Sequence, residues 1–313
     1  MIVEKIIIGE KFPLDGLLTI PDGDGPFPAI VLVHGSGPND MDEKVGNCKT
    51  FKDLAEGFAA RGIATIRYNK RTKTYGKQMV KGPDAGSLTV WEETIEDAVF
   101  ATNLIKKDPR INPEKVFIAG HSMGAMLAPR IDAEGGDYTG LILLAGSPRK
   151  IEEIMIEQQD NAIGGLNPLL KWIAGKQMTK FRAKLEGLYE MSDEQAKNTT
   201  FLGKYNKLYY LKEWGEKPAV NYLKDLTKPV FVTQGDADFH VSVENDFNKY
   251  KEILGDRSNV TYKIYPNLNH LFMPTIYGNN INKGLKEYKK PQKVADYVMD
   301  DLAAWIKAVD VVT

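Results

Sequence analysis

Apolar residues along this chain recur at two alternating spacings, and the alternation predicts a parallel sheet covered by helices on both faces. The first two runs, Ile2 to Ile8 and Leu14 to Ile20, are rich in β-branched residues, and the second stops at Pro21. The turn cluster Pro21-Asp-Gly-Asp-Gly-Pro-Phe-Pro28 follows. Together they predict antiparallel strands at one sheet edge. Ala29 to Val33 is then apolar without interruption, as in a strand buried on both faces. Phe51, Leu54, Ala55, Phe58 and Ala59 fall at helical spacing, and Ile63 to Ile66 reads as the next strand. Ser87 stands as N-cap before a long helix carrying Val90, Trp91, Ile95, Ala98, Val99, Thr102 and Leu104. Further strands are expected at Val116 to Ala119, Leu141 to Ala145, Val230 to Val232 and Val260 to Tyr265. A final helix carries Val294, Val298, Leu302, Trp305 and Ile306.

One interval breaks the rhythm. About 80 residues separate Gly146 from Lys228, far more than a strand-to-helix connection needs. Helix formers and bulky apolar residues fill it, among them Ile151, Ile154, Leu169, Trp172, Phe181 and Leu188, with the aromatics Tyr205, Tyr209, Tyr210 and Trp214. The expected organisation is an α/β core of residues 1–147 and 227–313 with a helical cap, residues 148–226, inserted between two strands.

Composition narrows the classes of function. With 313 residues and 42% hydrophobic content the chain can bury one large core plus an insertion. A formal net charge of -1 offers nothing to a polyanion. The cluster Lys70, Arg71, Lys73 is too short to follow a nucleic-acid backbone; Lys70, Arg71 and Tyr75 could bind a carboxylate or rim the cleft, but they read rather as solvated surface. No apolar stretch approaches membrane-spanning length. Cys48 is the sole cysteine, so no internal disulfide is available and a reducing, cytoplasmic setting is expected. The expected partner is a small molecule, with a homodimer left open and neither nucleic acid nor membrane involved.

Gly120-His-Ser-Met-Gly124 fits the pattern G-x-S-x-G, between the strand Val116 to Ala119 and a helical run from Ala125. A nucleophile exposed at the top of a sheet must sit on a very tight strand-to-helix turn. Glycines at both ends leave room for neighbouring elements. The helix that follows aims its free N–H groups at the reacting centre, where they favour negative charge.

A serine hydroxyl is a weak nucleophile until a base takes its proton. The chain has four histidines, at 34, 121, 240 and 270. His34 ends a buried strand, and His121 leaves the turn in another direction. In this architecture the order is nucleophile, acid, base. His270, in the loop after the last expected strand, is the favoured base over His240, which has little freedom to bridge acid and nucleophile. For the acid, Val230-Phe-Val-Thr-Gln-Gly235-Asp-Ala-Asp238 offers two carboxylates. Asp238 is favoured as the partner of His270 Nδ1–H, with Asp236 as a turn-capping carboxylate. The expected oxyanion donors are the backbone N–H groups of Met123 and of Ser36, in the glycine-containing loop His34-Gly-Ser-Gly37.

These segments resemble a known group of proteins. His34-Gly-Ser-Gly-Pro-Asn-Asp, Arg67-Tyr-Asn-Lys-Arg-Thr, the turn around Ser122, Gly235-Asp-Ala-Asp238 and Asn269-His270-Leu-Phe look like bacterial α/β-hydrolases. Those relatives are the dienelactone-hydrolase and prolyl-oligopeptidase-like enzymes, including acyl and cinnamoyl esterases. The resemblance implies an α/β-hydrolase fold, a triad of Ser122, Asp238 and His270, and an oxyanion hole at Ser36 and Met123. Met41 departs from the basic residue often found after the Asp in similar sequences. The expected function is hydrolysis of carboxylic esters through an acyl-enzyme. Amide cleavage or acyl transfer on the same residues, and a non-catalytic binding protein, are the alternatives. No metal or organic cofactor is required, and so few His and Cys leave little for a zinc site. Residues expected to line the substrate pocket are His34, Gly35, His121, Trp172, Tyr209 and His240.

Overall fold

The computed structural model describes residues 1–164, 166–202, 206–278 and 280–310; Tyr205 lies outside them. The strands β1 (Ile2–Ile8), β2 (Leu14–Ile20), β3 (Phe27–Val33), β4 (Ala64–Tyr68), β5 (Ile111–His121), β6 (Gly140–Leu144), β7 (Val230–Gly235) and β8 (Val260–Tyr265) form one sheet. Its order is β1-β2-β4-β3-β5-β6-β7-β8. Pairings β1–β2 and β2–β4 are antiparallel, and every pairing from β4 to β8 is parallel.

Alternate residues of the central strands feed two separate cores. Ala29, Val31, Val33, Val116 and Ile118 face one cluster, whereas Ile30, Leu32, Phe117 and Ala119 face the other. Such a strand has no polar side, which is why these runs are apolar throughout. The helices α1 (Thr50–Ala59), α2 (Arg71–Lys81), α3 (Glu96–Ile105) and α4 (Met123–Ile131) accompany the first strands. Phe51, Leu54 and Phe58 of α1 pack in the second cluster, and Ala98, Ala101 and Ile105 of α3 in the first.

Between β6 and β7 the chain forms α5 (Ile151–Gly164), α6 (Pro168–Leu185), α7 (Asp193–Asn198), α8 (Leu208–Glu216) and α9 (Ala219–Leu223). Leu188, Ala196, Leu208 and Leu211 make a small core of their own, while Trp214, Ala219 and Leu223 join the first sheet cluster. The remaining helices are α10 (Asn248–Leu254), α11 (Ile281–Glu287) and α12 (Asp296–Ala308). Among the described residues no helix is long and apolar enough to cross a membrane.

Two expectations are corrected. Ser87 lies in a separate short turn, Ala85–Ser87, and it is Thr89 Oγ1 that accepts the N–H of Trp91, at 3.1 Å. Glu92 Oε2 closes the same turn by accepting from Thr89 N–H at 2.9 Å. Lys70 and Arg71 are not solvated but buried. Lys70 Nζ lies 2.7 Å from Glu93 Oε1, and Arg71 pairs with Glu96 at 2.6 Å and with Asp97. Cations at the end of a central strand enter the interior only when anions meet them there. The acids Glu93, Glu96 and Asp97 were the sequence signal.

Candidate active site

The chain turns sharply at Ser122, which has φ 53° and ψ -114° and is half-buried. Few non-glycine residues hold positive φ, and this one is held by its surroundings. Ser122 N–H donates to Leu144 O at 2.8 Å, and the N–H groups of Ala125 and Met126 close back on Ser122 O. Both flanking glycines are obligatory for contact reasons. A Cβ on Gly120 would stand 2.2 Å from Gly124 O, and one on Gly124 would stand 2.1 Å from Val33 O. Each obstacle is backbone and cannot swing aside. Gly124→Ala therefore costs about 3 kcal/mol of stability, as overpacking at a rigid site does. Urea unfolding measures the loss.

Strands β7 and β8 run in register, Gly235 opposite Tyr265, so the loops after them leave the same sheet edge together. A Cβ on Gly235 would lie 2.1 Å from Leu268 O, so glycine lets these loops touch. Ala237 N–H donates to Leu268 O at 3.1 Å. The result is a 2.7 Å hydrogen bond from His270 Nδ1–H to Asp238 Oδ2, with both side chains buried. Asp238 Oδ1 accepts from the N–H groups of His240 (2.7 Å) and Val241 (3.2 Å). Asp236 is exposed and accepts from Asn267 N–H at 2.7 Å, as a turn cap. The His270 loop is itself tight: Asn269 Oδ1 accepts from Leu271 N–H and Met273 N–H at 2.9 and 3.2 Å.

Burial drives His270 well below the ordinary histidine pKa, and the neighbouring His121 pushes the same way. The ring is therefore unprotonated at neutral pH, the state a base must be in. Burial raises Asp238 to about 7, opposed by His240 and by the two backbone N–H groups. His240, its ring 4.6 Å from that of His270, is driven down to about 3 by burial and by His270. Among the described residues no hydrogen bond joins Ser122 Oγ to His270.

Ser122, Met123, Ser36 and Gly37 meet at the wall of one cavity of about 690 Å³. Met123 opens α4, so its N–H has no intrahelical acceptor. Gly37, at φ 88°, curls the loop that carries Ser36. The cavity runs under the interval between β6 and β7, with Ile151, Ile154, Met155, Leu211 and Trp214 on that side and Met79 and Met126 on the other. Glu93 is the one carboxylate in its described lining. It is neutralised by Lys70 and accepts the Tyr210 hydroxyl at 2.5 Å.

None of the six pocket residues expected from sequence, His34, Gly35, His121, Trp172, Tyr209 and His240, is in the described lining of this cavity. Trp172 is 60% exposed on α6, under Lys176, and does not line the cavity. Tyr209 stacks below Lys197, and the helical register turns its neighbour Tyr210 to the cavity instead. His34 is buried between Phe51 and Tyr68, its Nε2 3.1 Å from Asp40 O. Gly35 and His121 are buried behind Ser122, and His240 packs on His270. Glu43, unremarked in the sequence, is 1% exposed and lies 3.0 Å from His121 Nδ1. Nothing in the run Asn39-Asp-Met-Asp-Glu43 marks which of its acids turns inward.

The sheet order, the strained serine turn between β5 and α4, and the acid and histidine delivered by β7 and β8 define an α/β-hydrolase fold. A family model described as "Serine aminopeptidase, S33" (Hydrolase_4) matches residues 25–274. The chain belongs to that family. It is 36% identical over 295 residues to Esterase EstD of Thermotoga maritima, a match covering 94% of this chain and 65% of that protein. The chain thus spans just under two thirds of that relative's length. Among solved structures, Est1E from Butyrivibrio proteoclasticus superimposes with TM-score 0.56 at 16% identity, over 96% of this chain and 99% of that one. Pyrococcus horikoshii acylaminoacyl peptidase superimposes with TM-score 0.57 at 13% identity, over all of this chain (100%) and 42% of that one. At such identities the two structures speak for the fold alone.

Proposed function

We propose that the protein is a serine hydrolase of carboxylic esters, with Ser122 as nucleophile, His270 as base, Asp238 as acid, and the N–H groups of Ser36 and Met123 as oxyanion donors. The observations that carry this reading are the buried 2.7 Å bond from His270 to Asp238 and a serine held at φ 53° on a cavity wall. Ser122 Oγ attacks the acyl carbonyl as His270 Nε2 takes its proton. Asp238, accepting from Nδ1–H, fixes the tautomer that leaves Nε2 free and steadies the imidazolium. The two N–H groups stabilise the oxyanion. The C–O bond then breaks, the alkoxide leaves with the proton from His270, and an acyl-enzyme remains. Water, deprotonated by the same ring, releases the acid and restores Ser122. The Ser122–His270 hydrogen bond forms on substrate binding, as catalytic hydrogen bonds often tighten only then.

Residues 148–226 act in this reading as a cap whose inner face supplies the acyl pocket. The apolar lining favours an uncharged acyl chain. The family description raises peptide cleavage as a second reading. An aminopeptidase must hold a substrate ammonium, and Glu93, the cavity's one described carboxylate, is already paired with Lys70. That pairing favours esters, in line with the name of the Thermotoga relative. One buried, unpaired cysteine fits a reducing cytoplasm.

A panel of p-nitrophenyl esters of rising chain length, run beside aminoacyl anilides, tests the assignment. Turnover of the esters, with kcat/KM at least about 100-fold above the anilides, is expected, because a site lacking an ammonium partner gains little from an aminoacyl group. Turnover of anilides alone would reject it.

A further inference from the structure

Glu43 has no part in the proposed chemistry, yet it is buried within the site at φ 47°, a left-handed conformation unusual for a non-glycine residue. Its Oε1 accepts the N–H of Gly35 at 2.8 Å. Its Oε2 faces His121 Nδ1 at 3.0 Å. His121 Nε2 in turn lies 2.9 Å from the backbone carbonyl of His270. Glu43 Oε2 and His121 Nδ1 are both buried and neither meets hydrogen-bond geometry among the described residues, so their 3.0 Å charge contact is what offsets the burial of each.

The partners settle the protons. A backbone carbonyl only accepts, so His121 Nε2 carries hydrogen. An ionised carboxylate 3.0 Å from Nδ1 favours a proton there too. Burial opposes charge on both groups, but each is overruled by the other: His121 is raised above the usual histidine range and Glu43 lowered below the usual glutamate range. The contact and both shifts favour an imidazolium facing a carboxylate.

We propose that Glu43 and His121 are positioning residues, an ion pair that ties the loop of Ser36, the turn of Ser122 and the loop of His270 into one unit and holds a cation beside the base. The proposal rests on the reading of Ser122 and His270 as nucleophile and base. Each end of the pair grips backbone or a direct neighbour: Gly35 precedes Ser36, His121 precedes Ser122, and the carbonyl gripped is that of His270 itself. The rings of His121 and His270 are 4.8 Å apart. The groups facing His270 are Asp238 at Nδ1, the His240 ring, itself neutral, and His121 with Glu43 behind it. The His121 cation acts more strongly on His270 than Glu43 does and disfavours a second proton there. The base thus stays free to accept the serine proton at mildly acidic pH.

Glu43→Gln separates charge from geometry. The Gln Oε1 still accepts from Gly35 N–H. Its amide N–H donates to Nδ1 of a now neutral His121, whose Nε2–H still reaches His270 O. Losing the imidazolium raises the proton affinity of His270, so the acid limb of kcat/KM moves to higher pH, by about half a unit to one unit. Glu43→Ala also releases the three segments, and kcat falls about 10- to 100-fold with KM changed less than about threefold, as misplacement of reacting groups does. Thermal unfolding confirms that each variant is folded. His121→Asn, expected to move the limb in the same direction, serves if Glu43→Ala does not fold. An acid limb unmoved in folded Glu43→Gln, or kcat within threefold of the parent in folded Glu43→Ala, overturns the proposal. Full activity in Ser122→Ala would instead overturn the catalytic reading beneath it, so the two failures are distinguishable.

Discussion

Ser122→Ala lowers kcat for ester hydrolysis by about 10⁶-fold, the scale on which loss of a triad nucleophile acts. The unfolding midpoint stays within roughly two degrees, because the side chain contributes little to stability. Ser122 holds its place through backbone, N–H to Leu144 O and carbonyl to the first turn of α4, and these bonds survive the change. Its hydroxyl makes no hydrogen bond to His270 in this structure, so removing it strips no contact from the base. Steady-state kinetics on a p-nitrophenyl ester, beside thermal unfolding, checks both halves. A variant that lost activity and stability together would point to a damaged fold.

Asp238→Asn lowers kcat by about 10⁴-fold, the penalty for fixing the wrong histidine tautomer. Asp238 Oδ1 accepts two backbone N–H groups, so Asn presents its oxygen there. The amide nitrogen then faces His270 Nδ1 and donates to it. His270 must carry its proton on Nε2, facing Ser122, and can no longer take the serine proton. KM changes little, since Asp238 is buried behind His270 and does not line the cavity. Stopped-flow or steady-state measurement of kcat and KM separately tests this, and an equal fall in Asp236→Asn would contradict it. Asp236 is an exposed turn cap, and its replacement leaves the base untouched.

The sequence was most legible where one local rule acts alone. Uninterrupted apolar runs at Ala29 to Val33 and Val116 to Ala119 could only be strands covered on both sides, and they are. The two glycines around Ser122 were readable because a side chain at either meets backbone about 2 Å away, a constraint with no alternative solution. That Asp238 and His270 would meet was readable because parallel strands release their loops at one edge, and the two side chains are hydrogen-bonded there. Legibility failed where burial depends on partners distant in sequence. Lys70 and Arg71 look like surface until Glu93, Glu96 and Asp97 are brought against them. Glu43 looks like one more loop acid until His121 meets it. Trp172 and Tyr209 show a further limit: composition marks the insertion as aromatic, but which ring faces the cavity depends on helical phase. Tyr210 is turned inward where Tyr209 is not, and Trp172 sits on the outer face of α6.

The most direct measurement is covalent labelling by a fluorophosphonate followed by peptide mapping. The phosphonyl group bonds to the attacking oxygen as fluoride leaves, which reports nucleophilicity without reference to any substrate. A single adduct on Ser122, absent in Ser122→Ala and slowed at least about 100-fold in His270→Ala, is the predicted result. An adduct on another residue, or parental labelling in Ser122→Ala, would contradict the assignment of residue 122 as the reactive oxygen.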